Sequence, residues 1–148
     1  MENRFENFTM LISKISRGIR KIKTEEMTEF NLKSSHVSII YYLHKMGSLT
    51  AKELCDICVE DKGAVSRAID YLEANACLAC ESSLKKRYNS RIMLTQKGNK
   101  IGQSIVSRID GILENASCGL EEKDRIVLYK SLALISENLE KICNKYEG

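Results

Sequence analysis

A chain of 148 residues with 43% hydrophobic and 29% charged residues is long enough to bury a core and has the composition of an ordinary globular protein. It has no Pro, 8 Gly and a net charge of +3, which argues against a turn-rich β sandwich and against a uniformly basic coat for nucleic acid. No apolar run approaches the roughly 20 residues that span a bilayer, and Met1 to Glu6 opens no signal segment, so no membrane partner and a cytoplasmic location are expected.

The first element repeats apolar residues at Phe5, Phe8, Ile12, Ile15, Ile19 and Ile22. That alternation of three- and four-residue steps is the seam of a helix rather than the period of a strand. Ser34 or Ser35 can cap a short helix that carries Val37, Ile40, Tyr41 and Leu43 and stops at Met46-Gly47, with Gly47 in the left-handed position that ends helices. Thr50-Ala51-Lys52-Glu53 has the form of a capping box, so a helix of two to three turns opens at Thr50 and runs through Leu54, Cys55 and Cys58. After the tight connection Val59-Glu60, Asp61 caps another helix, with Ala64, Val65, Ala68, Ile69 and Leu72 inward and Lys62, Ser66, Arg67 and Asp70 outward. Two short helices joined by a tight turn make a helix-turn-helix.

Beyond Ala76 the period changes. Leu78 to Glu81 and Arg91 to Leu94 read as two strands flanking Lys85 to Arg91, a stretch with four cations in seven residues. A hairpin in that place is a wing. From Thr95 to about Cys118 a helix of roughly 36 Å, at about 1.5 Å per residue, carries Ile101, Ile105, Ile109, Ile112, Leu113 and Ala116. A last helix starts near Leu120 and repeats Leu128, Leu132, Ile135, Leu139, Ile142 and Tyr146. Long amphipathic helices at both ends of so short a chain ask for each other and for a second copy; a monomeric bundle is the alternative.

The expected fold class is therefore mainly α (α+β): a winged helix-turn-helix with long N- and C-terminal dimerisation helices and a small β wing. Residues 1–148 form one domain in this reading. Residues 1–30 and 100–148 are its dimerisation helices, and 32–98 its DNA-binding lobe, with the wing at about 78–94.

This order of elements resembles the MarR family of winged helix-turn-helix transcriptional regulators over nearly the whole chain. The words that carry the resemblance are Asp61-Lys62-Gly63-Ala64-Val65-Ser66-Arg67-Ala68-Ile69 with Leu72-Glu73, Leu94-Thr95-Gln96-Lys97-Gly98, and Leu49-Thr50-Ala51-Lys52-Glu53-Leu54. They match, in turn, the family's recognition helix, the word that joins wing to dimerisation helix, and the opening of the motif's first helix. Two positions depart. The Asp of the wing's frequent Asp-x-Arg pair is absent from Lys85-Lys86-Arg87, and a Gly common just after the recognition helix is Ala76.

The resemblance implies a homodimeric, sequence-specific DNA-binding regulator, a repressor released by a small-molecule or redox signal. Its partner is a pseudo-palindromic duplex that receives two recognition helices roughly 34 Å apart. In the Asp61–Ala74 helix, Gly63 and Ala64 would allow close approach of the backbone, while Ser66 and Arg67 reach base edges or phosphate and Lys62 a phosphate. Lys85, Lys86, Arg87 and Arg91 would follow the sugar-phosphate backbone from the wing, and Lys52 would reach it from the first turn of the leading helix. A small-molecule effector would sit near His36, Tyr41, Tyr42 and His44.

Six Cys stand at 55, 58, 77, 80, 118 and 143, and the two Cys-x-x-Cys words have the spacing of a zinc site. Placed on a helix and a strand they do not converge, so no metal or other cofactor is expected. Cys118 and Cys143, near the dimerisation helices, are the redox candidates. Two His in one short helix, with no phosphate-cradling loop or nucleophile elbow, give no basis for an enzyme. The alternatives are a winged-helix module that binds protein without DNA, and a cysteine-based redox or zinc sensor.

Overall fold

A computed structural model describes residues 4–81 and 89–148. In chain order it contains α1 (Arg4–Glu26), a 3-10 turn (Thr28–Phe30), α2 (Ser34–Met46), β1 (Ser48–Thr50), α3 (Ala51–Cys58), α4 (Lys62–Ala74), β2 (Leu78–Cys80), β3 (Arg91–Leu94), α5 (Gln96–Ala116) and α6 (Glu122–Glu147). The chain divides into two compact units, residues 1–111 and 112–148.

The first unit is held by one core. Met27, Ile39, Ile40 and Leu43 from α2 and the segment before it meet Leu54, Val65, Ile69 and Leu72 of the helix pair, Ile92 of the sheet and Ile105 of α5. Each of these is at most 2% exposed, so nearly their whole apolar surface contributes to stability. The sheet has the order β1-β3-β2, both pairs antiparallel, with Leu49 opposite Ile92 and Cys80 opposite the same residue on the other side. The strand β1 has no counterpart in the sequence reading. Three residues are too few for a period, and its inward Leu49 lies next to the capping box that dominates the local signal.

The caps explain where the short helices start. Thr50 Oγ1 accepts from Glu53 N–H at 3.1 Å, and Glu53 Oε2 accepts from Thr50 N–H at 2.8 Å, so the reciprocal box is complete. Asp61 Oδ1 accepts from Ala64 N–H at 2.7 Å. The start of α2 differs from expectation: neither Ser34 nor Ser35 is its cap. Lys33 stands at that position, and its N–H donates to His36 Nδ1 at 3.1 Å. Gly47 ends α2 with a positive φ of 87°, but its ψ of −63° lies outside the left-handed helical basin. Val59 and Ala76 do occupy that basin's φ range, at 53° and 58°.

The start of α5 is fixed to the wing base. Thr95 Oγ1 donates to Ala76 O, Thr95 N–H donates to Cys77 O at 3.0 Å, and Lys97 Nζ donates to Asn75 O at 2.8 Å. A Cβ on Gly98 would overlap the Cys77 carbonyl, which gives the glycine of the Leu-Thr-x-x-Gly word a steric reason. Three turns on, Arg108 Nη1 donates to Glu26 O at 2.8 Å at the end of α1, and its other nitrogen pairs with Glu29. Asp110 accepts from Tyr41 OH and from Lys45 Nζ, each at 2.9 Å.

In the second unit, Arg125 of α6 donates to both carboxylate oxygens of Glu114 at 3.3 and 3.4 Å. Leu128, Ile135, Leu139, Ile142 and Tyr146 are exposed along α6, as are Phe5, Phe8, Ile12, Ile15 and Ile19 along α1. Among the described residues no helix is long and apolar enough to cross a membrane.

Candidate nucleic-acid interface

The two helices of the motif divide their faces cleanly. On α4 the residues Val65, Ala68, Ile69 and Leu72 are buried, and Lys62, Gly63, Ser66, Arg67 and Asp70 are exposed. This is the amphipathic split that the i, i+3, i+4 spacing demands. Ala64 is half-buried. Arg67 folds back along the helix: a Cβ on Gly63 would lie 3.2 Å from its Nη1 and equally close to Asp61 Oδ1. Lys52 is exposed on α3.

Arg91 is placed differently from a free surface cation. Its Nη1 donates to Ser48 O at 3.2 Å and to Glu53 Oε2 at 3.3 Å, so it ties β3 to β1 and to the capping carboxylate of α3. The side chains of Arg91 and Glu53 nevertheless remain 48% and 45% exposed. Nothing in the sequence links positions 53 and 91; only the β1–β3 pairing brings them together. Lys85, Lys86 and Arg87 lie outside the described residues.

The four residues expected near an effector meet different neighbours in the fold. His36 is buried, its ring stacked on Tyr71 of α4 with centroids 4.3 Å apart. It lines an open cleft of about 660 Å³ together with Thr24, Thr28, Lys33, Arg67 and Tyr71. Burial, with Lys33 nearby, lowers the His36 pKa, consistent with a neutral ring whose Nδ1 accepts the Lys33 N–H. Tyr41 instead faces α5, and burial and the hydrogen bond to Asp110 push its phenol to about 12. Tyr42 meets Tyr41 edge to face at 5.3 Å. His44 lies against Gly102, and its buried Nδ1 has no hydrogen-bond partner among the described residues.

No disulfide joins any of the described cysteines. Cys55, Cys58 and Cys80 pack partly buried against the core and Cys77 is within it, one residue before β2. Burial raises the thiol pKa of Cys55 and Cys77 and takes that of Cys58 to about 11, which leaves them protonated and poor nucleophiles. Cys118 and Cys143 are exposed. Among the described residues no three His, Cys, Asp or Glu side chains are grouped to hold a metal ion.

This arrangement of capped helix pair, three-stranded sheet and flanking long helices is a winged helix-turn-helix, and it has the fold of MarR-family transcriptional regulators. Comparison with solved structures places it beside NMB1585, a MarR family regulator from Neisseria meningitidis, with a TM-score of 0.83, 17% identity and coverage of 97% of this chain and 98% of that one. A putative MarR family regulator from Listeria monocytogenes, solved in complex with a 26mer DNA, gives a TM-score of 0.80 at 23% identity, covering 94% and 90%. Staphylococcus aureus MarR in complex with salicylate and kanamycin gives 0.78 at 18% identity, with 95% of each chain covered. In sequence the chain is 26% identical over 114 residues to YwoH of Bacillus subtilis (strain 168), described as an uncharacterized HTH-type transcriptional regulator, covering 77% of this chain and 82% of that protein. No family model matches the chain. The relatives and neighbours named are regulators rather than enzymes.

Proposed function

We propose that the protein is a sequence-specific DNA-binding transcriptional regulator acting as a homodimer. The observation that carries this is the outward row of α4. Ser66 and Arg67 stand exposed on a helix whose inner face and N-cap fix its pose, and the Arg67 guanidinium makes no hydrogen bond or ion pair with any described residue. Such a helix can be laid in a major groove N-terminal end first, with Arg67 aimed at a guanine edge and Lys62 and Lys52 at phosphates. The Listeria complex with DNA supports the same use of this fold. A second copy is supported by the apolar residues left exposed along α1 and α6, which would be costly to leave in water.

A repressor released by a small molecule is the form of regulation favoured here. The cleft that His36 and Arg67 share puts any occupant beside the proposed base-reading arginine. Release by oxidation would instead act through the exposed Cys118 or Cys143.

Fluorescence anisotropy with duplexes from the gene's own upstream region and scrambled duplexes, across a salt series, tests the DNA reading. Tight, steeply salt-dependent binding to the upstream duplex alone is expected. Equal, weak binding to both would overturn it in favour of a protein-binding winged helix.

A further inference from the structure

In the resemblance drawn from the sequence, Arg87 of the wing lacks the acidic neighbour that commonly holds it, and Arg87 lies outside the described residues. At the base of the wing the fold gives a different arginine, Arg91, an acid of its own. Glu53 is the third residue of α3, and its carboxylate already accepts the Thr50 N–H at 2.8 Å. The same oxygen accepts from Arg91 Nη1 at 3.3 Å, while the Ser48 carbonyl receives that nitrogen at 3.2 Å. One nitrogen of the guanidinium is therefore anchored twice. Its Nε and Nη2 donate to no other described residue, on a side chain that is 48% exposed. A planar, fork-shaped group anchored at one corner keeps its remaining donors aimed, and an aimed guanidinium loses less freedom when it meets a phosphate.

We propose that Glu53 is a positioning residue for DNA binding: it acts through Arg91, holding that guanidinium at the base of the wing so that its remaining donors meet a backbone phosphate. This rests on the DNA-binding reading above. Arg91 is then the phosphate ligand and Glu53 its buttress, which also joins the first helix of the motif to the wing.

The proposal has a sign opposite to simple electrostatics. Glu53→Gln removes a negative charge near a polyanion, and without a buttressing role it must strengthen binding. Gln can still accept the Thr50 N–H, so the cap is kept. The measurement is anisotropy of a labelled random-sequence duplex of about 30 base pairs, three helical turns, over a salt series. It uses the full chain as wild type, E53Q, R91A and the double variant, with circular dichroism melting of each. Expected are a several-fold loss of affinity for E53Q with an unchanged melting temperature, and for R91A a loss together with a salt slope reduced by about 1. In the R91A background the same E53Q change should give equal or tighter binding. Tighter binding by E53Q in the wild-type background, or the same effect in both backgrounds, would overturn the proposal while leaving the DNA reading intact. An unchanged salt slope in R91A would overturn the phosphate contact itself. A wild-type protein with no salt-dependent duplex binding would sink both readings.

Discussion

Tyr71 on α4 and Asn31, at the corner between the 3-10 turn and α2, hold each other through two hydrogen bonds. The phenol donates to Asn31 O at 2.8 Å, and Asn31 Nδ2 donates back to the phenol oxygen at 3.3 Å. Asn31 sits at a φ of 56°, a region that Asn tolerates better than most residues, and His36 stacks on the ring of Tyr71. The proposed recognition helix is thereby fastened, at the edge of its inner face, to the segment that follows the 3-10 turn. Tyr71→Phe keeps the stack and loses both bonds. It should cost about 1 kcal/mol in urea unfolding at fixed protein concentration. It should also weaken DNA binding if the pose of α4 depends on this link.

His36 gives the fold a pH dependence of known sign. Burial and Lys33 lower its pKa in the folded state, so the unfolded chain binds more protons as pH falls below about 6.5. Stability from the neutral ring is fully present above that pH and is lost as pH falls towards the lowered folded value. Protonation also replaces the Nδ1 acceptor of the Lys33 N–H with a second donor. Urea midpoints measured from pH 7.5 down to pH 5 should decline, and the decline should be shallower in His36→Gln.

Two backbone positions should respond oppositely. Ala76 occupies a φ of 58°, where an L side chain costs about 1–2 kcal/mol and Gly does not. Set against the larger unfolded-state entropy of Gly, Ala76→Gly should stabilise by about 0.5–1 kcal/mol. Gly98→Ala meets the Cys77 carbonyl and should destabilise by at least about 2 kcal/mol, because backbone rather than a flexible side chain must move. Thermal melts of the two variants beside wild type decide both.

Arg67→Ala separates sequence reading from simple adhesion. Loss of a bidentate guanine contact should remove about 1–3 kcal/mol of discrimination between a specific and a scrambled duplex. Equal weakening on both duplexes would reassign Arg67 to phosphate.

The helices were legible because their signals are local and redundant. The seams along α1 and α6, the Thr50–Glu53 box and the Asp61 cap each need only neighbouring residues. The helix from Thr95 to about Cys118 is observed as Gln96–Ala116, within the usual fraying of ends. What escaped depends on pairing at long range. The strand β1 exists through its register with β3, and the Glu53–Arg91 and Tyr71–Asn31 links follow from tertiary packing. Neither Ser34 nor Ser35 caps α2 because the helix already includes both, with Lys33 at the cap position and His36 accepting its N–H. The neighbours of His36, Tyr41 and His44 were equally out of reach of the sequence, because residues of α2 meet different elements: α4 at His36, α5 at Tyr41 and His44.

The first three turns of α5 act as a spacer of fixed length. Gly98 is seated on the Cys77 carbonyl, and Arg108, about 15 Å further along the helix, grips the last carbonyl of α1. A helix neither stretches nor shortens under small loads, so the spacing from Gly98 to Arg108 is set in hydrogen-bonded backbone, and the Arg108 side chain completes the link to α1. A shift of the tail of α1 would therefore load the Arg108 guanidinium and reach α5 through that side chain.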